Sequence, residues 1–132
     1  MKTKPFLTQL DCEKVQAAAR AEAVKNKWNV TIAIVDDGGY LLSLVRGDGA
    51  GPVTAEIAAR KAHAAAVSRR STKMSEDRIA SRPALIKMPV LPVQGGVPIM
   101  HDGHCVGAVG VSGVQSHEDE QVCNAGIAAL GA

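Results

Sequence analysis

Aromatic side chains are nearly absent from this sequence of 132 residues. Phe6, Trp28 and Tyr40 make up only 2% of the chain, so its core must consist of aliphatic residues and alanine. Proteins that bind single-stranded nucleic acids stack bases on aromatic rings, and proteins that follow a phosphate backbone carry a large excess of positive charge. Here 15 basic and 13 acidic residues leave a net charge of +2. We therefore expect no nucleic-acid partner.

Long apolar runs and paired cysteines are missing as well. No uncharged apolar stretch is long enough to span a membrane, and the first residues lack the apolar core and cleavage site of a signal peptide. Cys12, Cys105 and Cys123 are odd in number and widely spaced, unlike a disulfide framework or a structural zinc site. The sequence predicts reduced thiols in a cytoplasmic protein with no membrane partner. Because no linker or repeat interrupts it, residues 1–132 form one predicted domain.

The first half of the chain predicts a helix followed by a hairpin. Thr8 and Asp11 have the spacing of a capping box for a helix from about Thr8 to Asn26. A β-branched run, Val30–Val35, is typical of a buried strand. Asp36–Gly39 supplies the residues that a tight turn requires, so Tyr40–Arg46 is the predicted returning strand.

The second half repeats these element types. An alanine-rich helix is predicted from Val53 to about Arg70, and a short helix near Ser75–Ala80, before three prolines and a candidate strand at Val90–Val93. Val97–Met100 and Cys105–Ser112 then form a predicted hairpin around Asp102 and Gly103, and the last helix begins at Ser116. Hairpins flanked by helices predict an α+β fold, an antiparallel sheet covered by helices. The glycines of the last strand, Gly107 and Gly110, favour close packing of the alanine-rich helix.

Basic residues provide the main indication of a ligand. Between Arg60 and Lys87 there are eight basic and two acidic residues. Such a patch either holds an anionic small molecule that bears carboxylates or is a solvated helix face. Lys61 is the first candidate for an anion contact. Arg46 and Asp48 are the second, because they lie on a glycine-rich loop after a strand end.

Other candidate site residues are glycines and histidines. Gly95 and Gly96 precede a strand, where glycine permits close approach of either a ligand or another backbone. His101 and His104 flank a turn with a spacing that suggests a metal site, although no third ligand is evident. His63 lies near Lys61 and is a second candidate for acid–base chemistry. No nucleophile triad, P-loop or dinucleotide-binding motif is present.

Four segments in this order resemble the GlcG/HbpS-like family, which also includes the C-terminal domain of PduO-type proteins. They are Ile34-Val35-Asp36-Asp37-Gly38-Gly39, Arg46-Gly47-Asp48-Gly49-Ala50, Ala58-Ala59-Arg60-Lys61-Ala62 continuing to Arg70-Ser71-Thr72, and Gly95-Gly96-Val97-Pro98-Ile99 with Gly107-Ala108-Val109-Gly110-Val111-Ser112-Gly113. The resemblance implies a profilin-like α+β domain with a five-stranded antiparallel sheet flanked by helices, assembled as a homo-oligomer. It covers about residues 7–130.

The resemblance also implies a heme-related function. Known members bind heme, and some degrade or sense it, whereas others lie beside genes for glycolate, diol or aromatic catabolism. Some heme-binding members use a histidine of the first helix as axial ligand, but this first helix contains none. Thr72, in the family-like Ser71-Thr72 pair, is implied as a weak oxygen ligand or a hydroxyl of the pocket wall.

Three functions follow as hypotheses. The first is binding of heme or a related tetrapyrrole by apolar residues near Val97 and basic residues including Arg46 and Lys61. The second is an enzyme that acts on a small organic acid or carbonyl compound, with Lys61 or His63 moving a proton and Arg46 holding the anion. The third is an oligomeric accessory protein without catalytic activity.

Overall fold

The computed structural model describes residues 1–131, which form four α-helices, a short 3₁₀ helix and four strands. The helices are α1 (Gln9–Lys25), α2 (Val53–Ser68), α3 (Thr72–Ser81) and α4 (Ser116–Ala128), with the 3₁₀ helix at Pro83–Lys87. The strands are β1 (Thr31–Asp36), β2 (Leu41–Arg46), β3 (Gly96–His101) and β4 (His104–Ser112). None of the helices in these residues is long and apolar enough to cross a membrane.

Local sequence signals explain where the first elements begin and turn. The Thr8 hydroxyl accepts a hydrogen bond from the Asp11 amide at 3.1 Å, and the Asp11 carboxylate accepts one from the Thr8 amide at 2.9 Å. This reciprocal pair is the predicted capping box. In the β1–β2 turn the Asp36 carboxylate accepts hydrogen bonds from the amides of Gly38 and Tyr40, both at 2.9 Å. Both predictions are confirmed.

The four strands form one antiparallel sheet in the order β2-β1-β4-β3. Strands β2 and β3 are therefore its edges, and β1 and β4 lie in the centre. The β3–β4 hairpin turns at Asp102 and Gly103, which have φ angles of 49° and 76°. Two consecutive residues with positive φ make the tight turn that joins twisted strands, as the sequence predicts.

Helices cover both faces of the sheet, with two separate cores. On one face α2 packs its alanines against the sheet, and on the other α1 and α4 pack with larger aliphatic residues. The core of the α2 face contains Ala33, Val35, Ala58, Ala62, Ala65, Ala66 and Ala108. The larger core of the opposite face contains Val15, Ile32, Ile34, Val109, Val111 and Val122, among others.

Helix α2 lies so close to β4 that a strand position facing it has no room for a side chain. A Cβ atom at Gly110 would lie 2.1 Å from the carbonyl oxygen of Ala58 and 2.4 Å from the amide nitrogen of Ala62. These are backbone atoms of α2, so they cannot move without shifting the helix. The predicted packing of the alanine-rich helix on the glycines of β4 is thus confirmed at Gly110 and wrong at Gly107, where a Cβ would meet the Val35 carbonyl and the Leu7 side chain instead.

Two predictions about the middle of the chain need correction. The sheet has four strands within residues 1–131 rather than five, and Val90–Val93 pairs with no strand there. Pro89 precedes this segment and Pro92 lies within it, and both lack the amide hydrogen that a strand needs, which explains its irregular path. The short helix begins at Thr72 rather than near Ser75, because the Ser71 hydroxyl caps it by accepting a hydrogen bond from the Met74 amide at 3.3 Å.

Candidate functional site

Lys61 forms a buried ion pair between helices that lie on opposite faces of the sheet. Its ammonium is 3.1 Å from the carboxylate of Asp119, in the first turn of α4, and donates to the Val111 carbonyl of β4 at 3.0 Å. Lys61 and Asp119 are only 3% and 2% exposed. The second carboxylate oxygen of Asp119 accepts a hydrogen bond from the Val114 amide at 3.2 Å. Both charges are therefore satisfied inside the protein.

Burial and the ion pair act on Asp119 in opposite directions. Burial raises the pKa of the Asp119 carboxyl above its ordinary value, whereas the nearby Lys61 ammonium and the Val114 amide lower it. Burial also strongly raises the pKa of the neighbouring Cys123 thiol, which donates to the Gly95 carbonyl at 3.2 Å. The surroundings of the pair thus disfavour any unpaired negative charge.

Gly95 lies against the Lys61 ammonium, and Gly96 lies between the Lys61 backbone and Thr72. The Thr72 hydroxyl, fully buried, accepts a hydrogen bond from the Gly96 amide at 2.9 Å and lies 3.3 Å from the Gly96 carbonyl. Gly95 has a φ of 126°, and a Cβ there would lie 2.7 Å from the Lys61 ammonium. These glycines permit close approach of side chain and backbone within the chain. Val97, one residue further along β3, packs against the core of the other face.

The structure therefore brings Lys61, Thr72, Gly95 and Gly96 together in a packed interior. The ammonium of Lys61 is directed at internal partners, and its role as an anion contact stays a prediction. His63, two residues along α2, is exposed, and its Nδ1 lies 3.1 Å from the Gly39 carbonyl. Lys61 and His63 thus have separate surroundings.

A groove beyond the C-terminal end of α2 combines basic and apolar side chains. We call it the basic groove; it has a volume of about 260 Å³. Arg70 and Arg78 contribute the positive charge, and neither takes part in an ion pair within residues 1–131. The remaining lining comes from two serines and from apolar residues of α3, the 3₁₀ helix and the segment after it: Ser68, Ser75, Ile79, Leu85, Met88, Val90 and Pro92.

The sequence indicated only half of this groove. Both arginines belong to the basic stretch between Arg60 and Lys87, but the apolar half lies largely in the proline-rich segment, which carries no periodic pattern. Leu85, Met88 and Val90 come together with α3 only because the 3₁₀ helix turns the chain back on it. The proline-rich segment thus supplies the apolar wall of the groove instead of a strand.

Arg46 and Asp48 lie at the β2 edge of the sheet, whereas Lys61 bonds to the central strand β4. Arg46 ends the edge strand β2, and its Nε donates to the Ala50 carbonyl at 3.0 Å. Asp48 lies on the rim of a second cavity, of about 400 Å³, between α1 and the loop that follows β2. Arg46 therefore shapes the loop on which Asp48 lies, and neither residue shares a site with Lys61.

His101 and His104 face each other at the tip of the β3–β4 hairpin, where both are exposed. His101 lies 3.4 Å from the Asp102 carboxylate. Within residues 1–131 no group of three or more histidine, cysteine, aspartate or glutamate side chains is arranged to hold a metal ion. Metal binding by this pair stays a prediction, without a third ligand from the described part of the chain.

Comparison with known proteins gives the family. Residues 7–128 match the family model described as haem degrading protein HbpS-like. The chain belongs to the HbpS-like family. Protein GlcG of Escherichia coli (strain K12), 46% identical over 114 residues, covers 85% of this chain and 85% of its own. An uncharacterized 15.0 kDa protein in the dhaT-dhaS intergenic region of Citrobacter freundii is 29% identical over 119 residues, which are 86% of this chain and 84% of that one.

Solved structures of HbpS-like proteins share the whole fold. A double mutant of HbpS from Streptomyces reticuli is 36% identical and superimposes with a TM-score of 0.92, covering 100% of this chain and 92% of its own. The complex of PduOC with heme is 25% identical, with a TM-score of 0.86 and 95% of each chain covered. The predicted family and α+β architecture are therefore confirmed.

Proposed function

We propose that the protein binds heme or a related tetrapyrrole in the basic groove. The observation that carries this proposal is the composition of the groove, in which Arg70 and Arg78 lie beside an apolar wall. Heme has the matching chemistry, an apolar macrocycle with two carboxylates. The likeness to the heme complex of PduOC supports the choice of ligand.

The groove residues fit this ligand group by group. Arg70 and Arg78 would hold the propionates, since guanidinium groups bind carboxylates through paired hydrogen bonds. Ile79, Leu85 and Val90 would contact the macrocycle, and Met88 offers a thioether, a ligand type that heme iron accepts. The volume of about 260 Å³ is below the ~300–1,000 Å³ of clefts that enclose drug-sized ligands. We therefore expect the groove to hold one edge of the macrocycle.

A hemin titration with a groove variant tests the proposal. We expect saturable binding of one hemin per chain, followed by the Soret band, and an affinity about tenfold lower for Arg78→Gln, because one charge-assisted hydrogen bond to a carboxylate is lost. Arg60→Gln is the matched control, since Arg60 is an exposed arginine of α2 outside the groove. His101→Ala should also leave the affinity unchanged.

Iron-free protoporphyrin separates recognition of the carboxylates from ligation of the iron. Its binding should lose the same factor in Arg78→Gln, because it carries the same carboxylates but no metal. If hemin binding is unsaturable, or if Arg78→Gln and Arg60→Gln weaken it equally, the basic groove is not the site. Heme degradation, heme sensing, action on a small organic acid, homo-oligomer formation and a cytoplasmic location stay predictions.

A further inference from the structure

The cavity beside Asp48 has its own chemistry, separate from that of the basic groove. We call it the loop cavity; it lies between α1, the start of β1, the end of β2 and the loop that follows β2, and has a volume of about 400 Å³. Its wall is mostly apolar, with Ala23, Trp28, Val30, Ile32 and Val45, and Gln16 and Asn29 add two uncharged polar side chains. A cavity of this size and lining is suited to a small molecule with an apolar tail.

Two side chains of opposite charge lie on the rim of the loop cavity. Arg20 reaches it from α1 and Asp48 from the loop, and both side chains belong to exposed residues. Neither belongs to an ion pair within residues 1–131, not even with the other. A simple anion would be attracted by Arg20 but repelled by Asp48. A simple cation would be attracted by Asp48 but repelled by Arg20. A ligand that carries both charges satisfies both side chains.

Hydrogen bonds on either side of Asp48 order the backbone of its loop. The Gly47 amide donates to the Val30 carbonyl and the Ala50 amide to the Gly47 carbonyl, both at 3.0 Å, while Arg46 holds the Ala50 carbonyl. Gly49 packs so closely on Asn29 that a Cβ there would lie 2.6 Å from the amide group of that side chain. A loop ordered in this way loses little conformational freedom on binding, which favours affinity.

We propose that the loop cavity binds a small zwitterion with an aliphatic tail, of the class of the branched-chain α-amino acids. Arg20 pairs with the carboxylate, Asp48 pairs with the ammonium, and the tail packs against Trp28 and Ile32. The proposal is independent of heme binding, because it uses different residues from the basic groove.

Three related compounds and the fluorescence of Trp28 test this proposal. Trp28 is the single tryptophan of the chain and lines the cavity, so its emission reports binding there. We expect L-leucine to bind at neutral pH about tenfold more tightly than isocaproate, which lacks the ammonium, and than isoamylamine, which lacks the carboxylate. If either analogue binds as tightly as L-leucine, or if none of them changes the emission, the proposal is wrong.

Charge-neutralising variants identify which side chain recognises which group. Arg20→Gln should weaken leucine binding about tenfold and should not weaken the binding of isoamylamine, which has no carboxylate. Asp48→Asn should also weaken leucine binding about tenfold and should not weaken the binding of isocaproate, which has no ammonium. Asp102→Asn, at an exposed turn outside the cavity, is the control, and Arg78→Gln should leave leucine binding intact. Equal losses of all three compounds in Arg20→Gln would contradict the assignment.

Discussion

Replacing Lys61 with methionine is expected to lower the free energy of unfolding by about 3–5 kcal/mol, because the carboxylate of Asp119 would remain buried without a cation. Asp119 is 2% exposed and has Lys61 as its ion-pair partner at 3.1 Å. Methionine keeps a long apolar side chain, so the loss comes from the charge and not from a large cavity. Chemical denaturation followed by far-ultraviolet circular dichroism measures it.

Two further variants separate this effect from a general loss of a lysine. Lys61→Met with Asp119→Leu should recover most of the stability, because no unpaired charge is left inside. Lys73→Met removes an exposed ion pair with Asp77 and should change little. A loss below about 1 kcal/mol in the single variant, the usual range of surface pairs, would contradict the buried-pair interpretation.

The destabilisation of Lys61→Met should also depend on pH. Burial already raises the pKa of Asp119, and removing Lys61 takes away an influence that lowers it. In the folded variant Asp119 therefore holds its proton at a pH at which the unfolded chain has lost it, so the stability of the variant falls as the pH rises through this window. Denaturation curves between about pH 4 and 7 should show a deficit, relative to the native sequence, that grows toward neutral pH. A constant deficit would mean that Asp119 does not titrate in this range.

Gly110→Ala is expected to destabilise the protein by about 3 kcal/mol, at the upper end of the effects of overpacking. The added Cβ would meet backbone atoms of Ala58 and Ala62 at 2.1 and 2.4 Å, so α2 would have to move away from the sheet. Such a shift also separates the alanines of α2 from Ala33, Val35 and Ala108. Thermal unfolding monitored by calorimetry gives the change in stability.

Gly51→Ala is the matched control for this substitution. A Cβ at Gly51 would meet nothing within 4 Å, and its φ does not lie in the left-handed region. It should leave the stability unchanged or increase it slightly, because alanine restricts the unfolded chain. If Gly110→Ala were as stable as Gly51→Ala, the result would contradict the close approach of α2 to β4.

Features that depend on neighbouring residues could be predicted from the sequence. The capping box of Thr8 and Asp11, the turn at Asp102 and Gly103, and the alternation of hairpins and helices all depend on short-range patterns. The packing of α2 on Gly110 was predictable too, because an alanine-rich helix and a glycine-containing strand have complementary surfaces. These signals were sufficient for the α+β architecture.

Features that depend on distant residues could not be predicted in the same way. Lys61 and Asp119 are 58 positions apart, so nothing local distinguishes a lysine in an internal ion pair from one that contacts an anion. The fifth strand was wrong both as the local candidate at Val90–Val93 and as an implication of the family resemblance, because Pro89 and Pro92 prevent regular strand pairing there. The start of α3 at Thr72 did carry a signal, the capping serine at position 71, which the weak periodicity of the segment obscured.

The Lys61–Asp119 pair also constrains how this sequence can change over time. Substitution of either residue alone leaves the charge of the other buried and unpaired. The two positions can therefore change only together or after stabilising substitutions elsewhere. We expect sequences of this fold to use either both members of the pair or neither. An apolar residue at position 61 should then predict one at position 119, although these positions belong to helices on opposite sides of the sheet.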